Sequence, residues 1–263
     1  MSRTKNAARR GRGGTSNGKR KRDDADETSS NPNKKVATAD EVATREEVTV
    51  RAEQTTCDEE IATATPEDLA TRFTAAIKKC KGDLSTIELE DQSIPAKAFR
   101  NTTDFGETRL VKNITQFLEK HVEGEAEELQ TCTNVASPHT LVVSSSAIRT
   151  QDVLREIRKY GSEENKVAKL FAKHMKLKAM IKYVGKTKFG IGGGTPSRMK
   201  DLIENDALKL DDLKRIVIDA SYVDDKQRTI FSDHDVFPQL LSLLNLESIK
   251  LRLVAGKTEI LVF

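Results

Sequence analysis

A chain of 263 residues with 44 Lys or Arg against 41 Asp or Glu is nearly charge-balanced at +3, and fits one soluble intracellular domain of about 190 residues plus a tail. Its apolar runs fall far short of the ~18 residues of a membrane span, and no apolar stretch follows its basic start, so neither a spanning helix nor a secretory leader is expected. With no Trp and three Tyr, stacking of single-stranded bases has little to work with, and Cys57, Cys80 and Cys132 are too scattered for a disulfide framework or a zinc site.

Residues 1–62 are rich in Ser, Thr, Asn, Gly and charge and lack a sustained apolar period, so they are expected to be a disordered tail. The charge there is split: residues 1–22 hold nine Lys or Arg and no acid, whereas 23–60 hold twelve acids against four bases, leaving about +2 on the remainder. Lys19, Arg20, Lys21 and Arg22 read as a nuclear localisation patch, and Arg9-Arg10-Gly11-Arg12-Gly13-Gly14 as a short RNA contact.

Residues 63–135 are expected to form a helical part. Thr65-Pro66-Glu67-Asp68 has the form of a helix start, Leu69, Phe73 and Ile77 follow at helical spacing, and Gly82 ends the pattern. A second helical pattern runs from Arg109 to His121 through Leu110, Ile114 and Leu118, and the acidic stretch from Glu123 to Glu128 reads as solvated loop.

Residues 136–263 alternate strand and helix: strands at 140–145, 188–192, 215–219 and 258–263, helices at 149–160, 164–183, 197–205 and 236–246. That alternation predicts a mostly parallel sheet covered on both faces, with a ligand crevice at the strand ends. The helix predicted at 164–183 places Val167, Leu170, Phe171, His174, Leu177 and Ile181 on one face, with Lys166, Lys169, Lys173 and Lys176 along another. Such a stripe either tracks phosphates or is an ordinary solvated face. Gly192-Gly193-Gly194-Thr195 leading into Pro196 offers amides and a helix dipole to a phosphate that Arg198 could clamp. The competing reading is a structural strand-to-helix turn.

Four of these segments resemble DEAD-box RNA helicases. Thr140-Leu141-Val142-Val143-Ser144-Ser145-Ser146-Ala147-Ile148-Arg149 is similar to their motif Ia, with Ala147 where they carry arginine and Arg149 two places later. Phe189 to Arg198 is similar to motif Ib, with Ser197 the departure from Thr-Pro-Gly-Arg. Arg215 to Ser221 is similar to the strand ending in Asp-Glu-Ala-Asp, with Asp219 kept and Ala220 in place of the Glu, and Thr258 to Phe263 to the strand leading into Ser-Ala-Thr, a motif the chain stops short of. The resemblance implies a RecA-like (P-loop NTPase-type) three-layer α/β fold, and RNA contact by Ser146, Gly194, Thr195 and Arg198.

The catalytic part of that resemblance is missing. No segment fits G-x-x-x-x-G-K-[ST], and at the corresponding loop, Asn101 to Thr108, Glu107 stands in the place of the phosphate-binding lysine with Asp104 adding a second negative charge. Asp219 remains as a possible cation ligand or as a cap for the loop that follows. No catalytic residue, cofactor or metal is therefore expected.

Ile87-Glu88-Leu89-Glu90-Asp91 with Ile94-Pro95, Ser145-Ser146-Ala147-Ile148-Arg149, Lys166 to His174, Gly192 to Arg198 and Val217-Ile218-Asp219-Ala220-Ser221 together resemble the Cms family of nucleolar proteins. The resemblance implies a component of the early small-subunit (90S) pre-ribosome, in the nucleolus of the nucleus, with pre-rRNA or snoRNA and ribosome assembly proteins as partners and no membrane or small-molecule substrate. The alternatives are an ATP-binding RNA helicase relative with a divergent phosphate loop, and a pure protein-interaction scaffold.

Overall fold

Short runs of Val, Ile and Leu, too short to be buried helices, line up side by side in the computed structural model, which describes residues 57–122, 126–173 and 175–263. The patch Lys19 to Arg22, the segment Arg9 to Gly14 and His174 lie outside the described residues. Residues 57–62, assigned above to the tail, take part in the fold: Cys57 bridges Tyr222, the Asp58 amide donates to Ser221 O at 2.8 Å, and Ile61 of helix α1 (Glu60–Thr63) is buried.

Helix α2 (Pro66–Lys81) begins as its sequence dictates. Thr65 Oγ1 accepts from the Asp68 amide at 3.2 Å, and the Asp68 carboxylate accepts from the Thr65 amide at 3.0 Å. Leu69, Phe73 and Ile77 are buried on its inner face. The same box, Ser85 with Glu88, starts α3 (Thr86–Gln92), a helix the sequence reading passed over because it buries no residue and so shows no apolar stripe. The pattern predicted from Arg109 contracts to a 3₁₀ turn at Val111–Asn113 and α4 (Ile114–Lys120).

Beyond these lie β1 (Thr140–Val143), α5 (Ala147–Glu156), β2 (Lys166–Leu170), α6 (Leu177–Val184), β3 (Phe189–Gly194), α7 (Pro196–Glu204), β4 (Arg215–Ile218), α8 (Val236–Leu244), α9 (Glu247–Val254) and β5 (Glu259–Val262). All strand pairs are parallel, in the order β2-β3-β1-β4-β5. Successive side chains of β1, β4 and β5 enter opposite cores. Leu141, Val143, Ile216, Ile218, Ile260 and Val262 join Phe73, Met180, Leu202, Leu240 and Ile249. Val142, Val217 and Leu261 join Phe117, Val153 and Ile157. The expected three-layer α/β arrangement with a parallel sheet is what forms.

One expectation is corrected. The helix predicted over 164–183 is a strand, a turn and a shorter helix: β2, then residues 171–176, then α6. Apolar spacing at Val167, Leu170 and Phe171 serves either structure, and periodicity does not separate them over so short a run. What decides is tertiary: the Asn165 side chain accepts from the Gly190 amide at 2.6 Å and donates to Gln130 O at 2.6 Å, starting β2 against the open edge of β3. The lysines therefore form no helical stripe. Lys166 and Lys169 lie on the edge strand, Lys173 in the turn, and Lys176 at the N-cap of α6.

Two smaller corrections follow the same logic. Helix α8 stops at Leu244 and a further helix, α9, precedes β5. Glu128, expected on a solvated loop, lies 2.9 Å from Arg215 Nη2 and 3.3 Å from Lys214 Nζ, tying a 3₁₀ turn (Ala126–Gln130) to the start of β4.

The glycine at 194 is imposed by close approach of backbones. A Cβ there would sit 1.9 Å from Leu170 O of β2, whereas at Gly106 it would meet nothing within 4 Å. Gly194→Ala is expected to destabilise the protein by about 3 kcal/mol or more, because the obstacle is main chain rather than a movable side chain, and Gly106→Ala to leave the urea midpoint near wild type. Equal midpoints for the two variants would refute this account of Gly194.

Candidate functional site

Ligands of open parallel sheets bind outside the carboxyl ends of the strands, and there this chain places a buried ion pair. Ser146 is the N-cap of α5, its Oγ accepting from the Arg149 amide at 3.2 Å. That cap sets Arg149 in the first turn, pointing across the end of β1 to Asp219 at the end of β4. Arg149 Nε donates to Asp219 Oδ2 at 2.7 Å and Nη2 to Oδ1 at 2.9 Å, with the two side chains 3% and 0% exposed. The guanidinium also lies 4.5 Å from the Tyr222 ring centroid. Burial by itself would lower the Arg149 pKa, but the charge and hydrogen bonds of Asp219 outweigh it and the net shift is upward.

Both Asp219 oxygens are thus committed to an arginine. The structure adds an ion-pair role to the two considered from sequence, cation ligand and loop cap. Ala220 is buried and its amide donates to Phe263 O at 2.8 Å. Among the described residues no three His, Cys, Asp or Glu converge as metal ligands.

The adjoining crevice, about 380 Å³, opens beside Ser146 and is lined by five aspartates (Asp152, Asp224, Asp225, Asp233, Asp235) against Arg149 and Arg228. Arg228 is itself engaged, Nη2 with Asp224 at 2.7 Å and Nη1 with Asp233 at 3.0 Å. A phosphate entering would meet like charge, worth about 1 kcal/mol per pair at ~4 Å in water and more when desolvated.

The loop from Asn101 to Thr108 is also filled from within. Phe99 makes a single parallel bridge to Ile260, the Arg100 amide donates to Ile260 O at 2.8 Å, and the chain then loops to Val111 and α4. Arg109 plugs the loop, donating through Nη1 to Val262 O at 2.6 Å and through Nη2 to Thr102 O at 2.8 Å, with its guanidinium 4.8 Å from the Phe117 ring centroid. Burial pushes its pKa down to about 10, so it is cationic at neutral pH. Asp104 is held by His121 Nε2 at 3.1 Å and Lys120 Nζ at 3.3 Å. Glu107 is exposed and, with Glu59, places carboxylates on a cavity of about 590 Å³.

Motif Ib is more open. Thr195 is the extended N-cap of α7, and its hydroxyl makes no cap bond. Arg198 folds along its own helix, Nε 4.0 Å from Asp201, and its buried Nη1 finds no acceptor among the described residues. Since Leu170 of β2 pairs with Gly194 of β3, the turn with Lys173 and Lys176 lies at the same end of the sheet as Thr195. The structure therefore gathers Lys173, Lys176, Thr195 and Arg198 at one sheet end, leaves Ser146 on the acidic crevice, and sets Lys169 on the outer edge. Sequence reasoning missed Arg149 and Arg109. Each had a legible signal, an arginine beside an apolar run, but partners up to 153 residues away.

Removing one member of the buried pair, by Arg149→Met or Asp219→Leu, is expected to cost about 3–5 kcal/mol, and the double variant to recover most of that loss. Urea unfolding of the four proteins checks it. Single variants within 1 kcal/mol of wild type would show the pair to be dispensable.

Comparison with known proteins places the chain. A family model described as "U3-containing 90S pre-ribosomal complex subunit" matches residues 13–263. The chain is 36% identical over 192 residues to Protein CMS1 of Chaetomium thermophilum, covering 73% of this chain and 76% of that protein. It is 30% identical over 196 residues to Protein cms1 of Schizosaccharomyces pombe (74% and 69%), and 29% identical over 160 residues to Protein CMSS1 of Homo sapiens (61% and 55%). Among solved structures it is similar to a DEAD box protein from Methanococcus jannaschii, at TM-score 0.36 and 15% identity over 60% of this chain and 36% of that one. It is also similar to Saccharomyces cerevisiae dbp5, at TM-score 0.40 and 13% identity over 74% and 46%. Those two likenesses are too distant to carry an argument about activity. The chain belongs to the CMS1 family, the U3-containing 90S pre-ribosomal complex subunits.

Proposed function

We propose that the chain serves small-subunit ribosome assembly in the nucleolus as a non-catalytic subunit, contacting pre-rRNA or snoRNA together with assembly proteins. The observation that carries the non-catalytic reading is the Arg149–Asp219 pair. An aspartate that is buried, with each oxygen accepting from a guanidinium 3% exposed, sets the positive charge of Arg149 against any cation that would approach it. Ala220 beside it supplies no base, and Arg109 fills the loop end with a charge already spent on main-chain carbonyls. The three contributions phosphoryl transfer depends on, a phosphate cradle, a metal site and a positioned water, each lack a group to provide them.

For RNA contact the reading rests on Thr195, Arg198, Lys173 and Lys176. Thr195 has a hydroxyl without a cap bond at a helix N-terminus and Arg198 sets a cation in the first turn, a combination suited to a phosphate oxygen. The family description supports a pre-ribosomal setting, and the Lys19 to Arg22 patch supplies a route of nuclear entry in this reading. A pure scaffold role competes with it, and so does an ATP-binding one.

With RNA present, purified protein is expected to release no inorganic phosphate from ATP above a heat-inactivated control, and to show no saturable magnesium-dependent binding of an ATP analogue. Release of phosphate would end the non-catalytic reading. Crosslinking to pre-rRNA is expected to fall about tenfold in Thr195→Ala/Arg198→Ala, the loss of one charge-assisted contact. No crosslink in wild type would leave the scaffold reading in its place.

A further inference from the structure

We infer a second RNA surface, flanking the strand of motif Ib and apart from Thr195 and Arg198: the groove between α5 with its 3₁₀ extension (Ile157–Tyr160) and the outer edge of β2 binds the phosphate backbone of paired RNA. The inference rests on the RNA-contact reading above and assigns that contact a place and a mode. The groove is about 770 Å³ and carries Arg155, Arg158, Lys166 and Lys169 against one carboxylate, Glu163. All four cations are exposed. Arg155 has one partner, Asp152 at 3.2 Å, while Arg158, Lys166 and Lys169 make no ion pair among the described residues. The chain outside its tail is only about +2, so four cations around one groove are a local concentration, not a reflection of a basic protein.

Two consecutive elements, the helix with its 3₁₀ extension and the strand after it, supply the charge. Lysines on an exposed strand edge also guard it against pairing with other strands, but such a guard has no use for Arg155 and Arg158, which come from the neighbouring helix and turn. Lys166 pairs with Phe189 and Val167 with Ile191, leaving Gly190 of β3 as the extra residue of a bulge, and both strand cations, Lys166 and Lys169, are exposed and line the groove.

The chemistry of the lining selects the ligand. Leu154 is buried and Val167 half-buried, so no large apolar side chain stands free to anchor a protein partner. No aromatic residue lines the groove, which removes base stacking, the main source of single-strand affinity. What remains is a row of flexible cations with the Ser162 hydroxyl and Gln151 amide, suited to backbone phosphates and 2′-hydroxyls and indifferent to sequence.

The test uses the full chain, a paired RNA of roughly 20 base pairs and a polyglutamate peptide as acidic protein mimic. The groove variant is Arg155→Gln/Arg158→Gln/Lys166→Gln/Lys169→Gln. The control, Lys78→Gln/Lys79→Gln/Lys81→Gln/Lys112→Gln, removes as many exposed charges elsewhere. The groove variant is expected to bind paired RNA on the order of tenfold more weakly, with the slope of log affinity against log salt reduced by about one per cation removed, and the control to stay within about twofold. Unchanged urea midpoints confirm that both variants fold. Equal losses in the two variants, or none in the groove variant, would overturn the groove while leaving RNA contact standing. A loss of polyglutamate binding with RNA binding intact would make it a protein-docking site and overturn it likewise. Wild type that binds no RNA would remove the RNA-contact reading itself, and this inference with it.

Discussion

Everything at the carboxyl end of this sheet is arranged around one buried pair, Arg149 with Asp219. Two opposite charges removed from water each carry a desolvation penalty of several kcal/mol, offset only when geometry is close and every donor is used. Here two parallel hydrogen bonds of 2.7 and 2.9 Å join the guanidinium to both carboxylate oxygens, and its plane lies by the face of Tyr222. The Ser146 cap, the amide of Asp219 held by Val143 O, and the bridge from Cys57 to Tyr222 all converge on keeping that geometry. The end of β4 is thereby neutralised by a side chain of the protein's own.

Charge is then partitioned between two regions of the fold. The crevice beside the pair is rich in aspartate, with both of its arginines engaged, and a polyanion is disfavoured there. The outer edge of β2 and the turn after it carry unengaged lysines instead. The chain's small net charge conceals this division, because the two regions nearly cancel. An RNA approaching such a surface is guided toward the β2 and β3 side of the sheet and away from the β4 side.

The glycines of β3 illustrate how a motif can be retained for reasons of packing. Gly193 faces Leu154 and Gly194 abuts the β2 backbone, each closer than a Cβ permits. They hold β2 at the sheet edge and bring Lys169 into register beside them. The same residues that suggested a phosphate turn thus make the edge strand possible.

Much of the architecture was legible in the chain itself. The short apolar runs at Leu141, Ile216 and Ile260 and the Thr65–Asp68 capping box act through local period and local hydrogen bonds, which are properties of neighbouring residues. The absence of a phosphate-loop lysine and of a glutamate at Ala220 was legible for the same reason. The strand at Lys166 was not, because five residues with mixed spacing fit helix or strand equally, and only the open edge of β3 and the reach of Asn165 to Gly190 select the strand. Nor was the pairing of Arg149 with Asp219, or the plug formed by Arg109, since partners 70 and 153 residues distant meet only when the sheet has assembled. Sequence alone determined the elements whose local period is unambiguous and their order; the tertiary structure decided the strand at Lys166, which charges neutralise one another and which stay free, because Coulomb energies depend on distance and burial, quantities that exist only once the chain has folded.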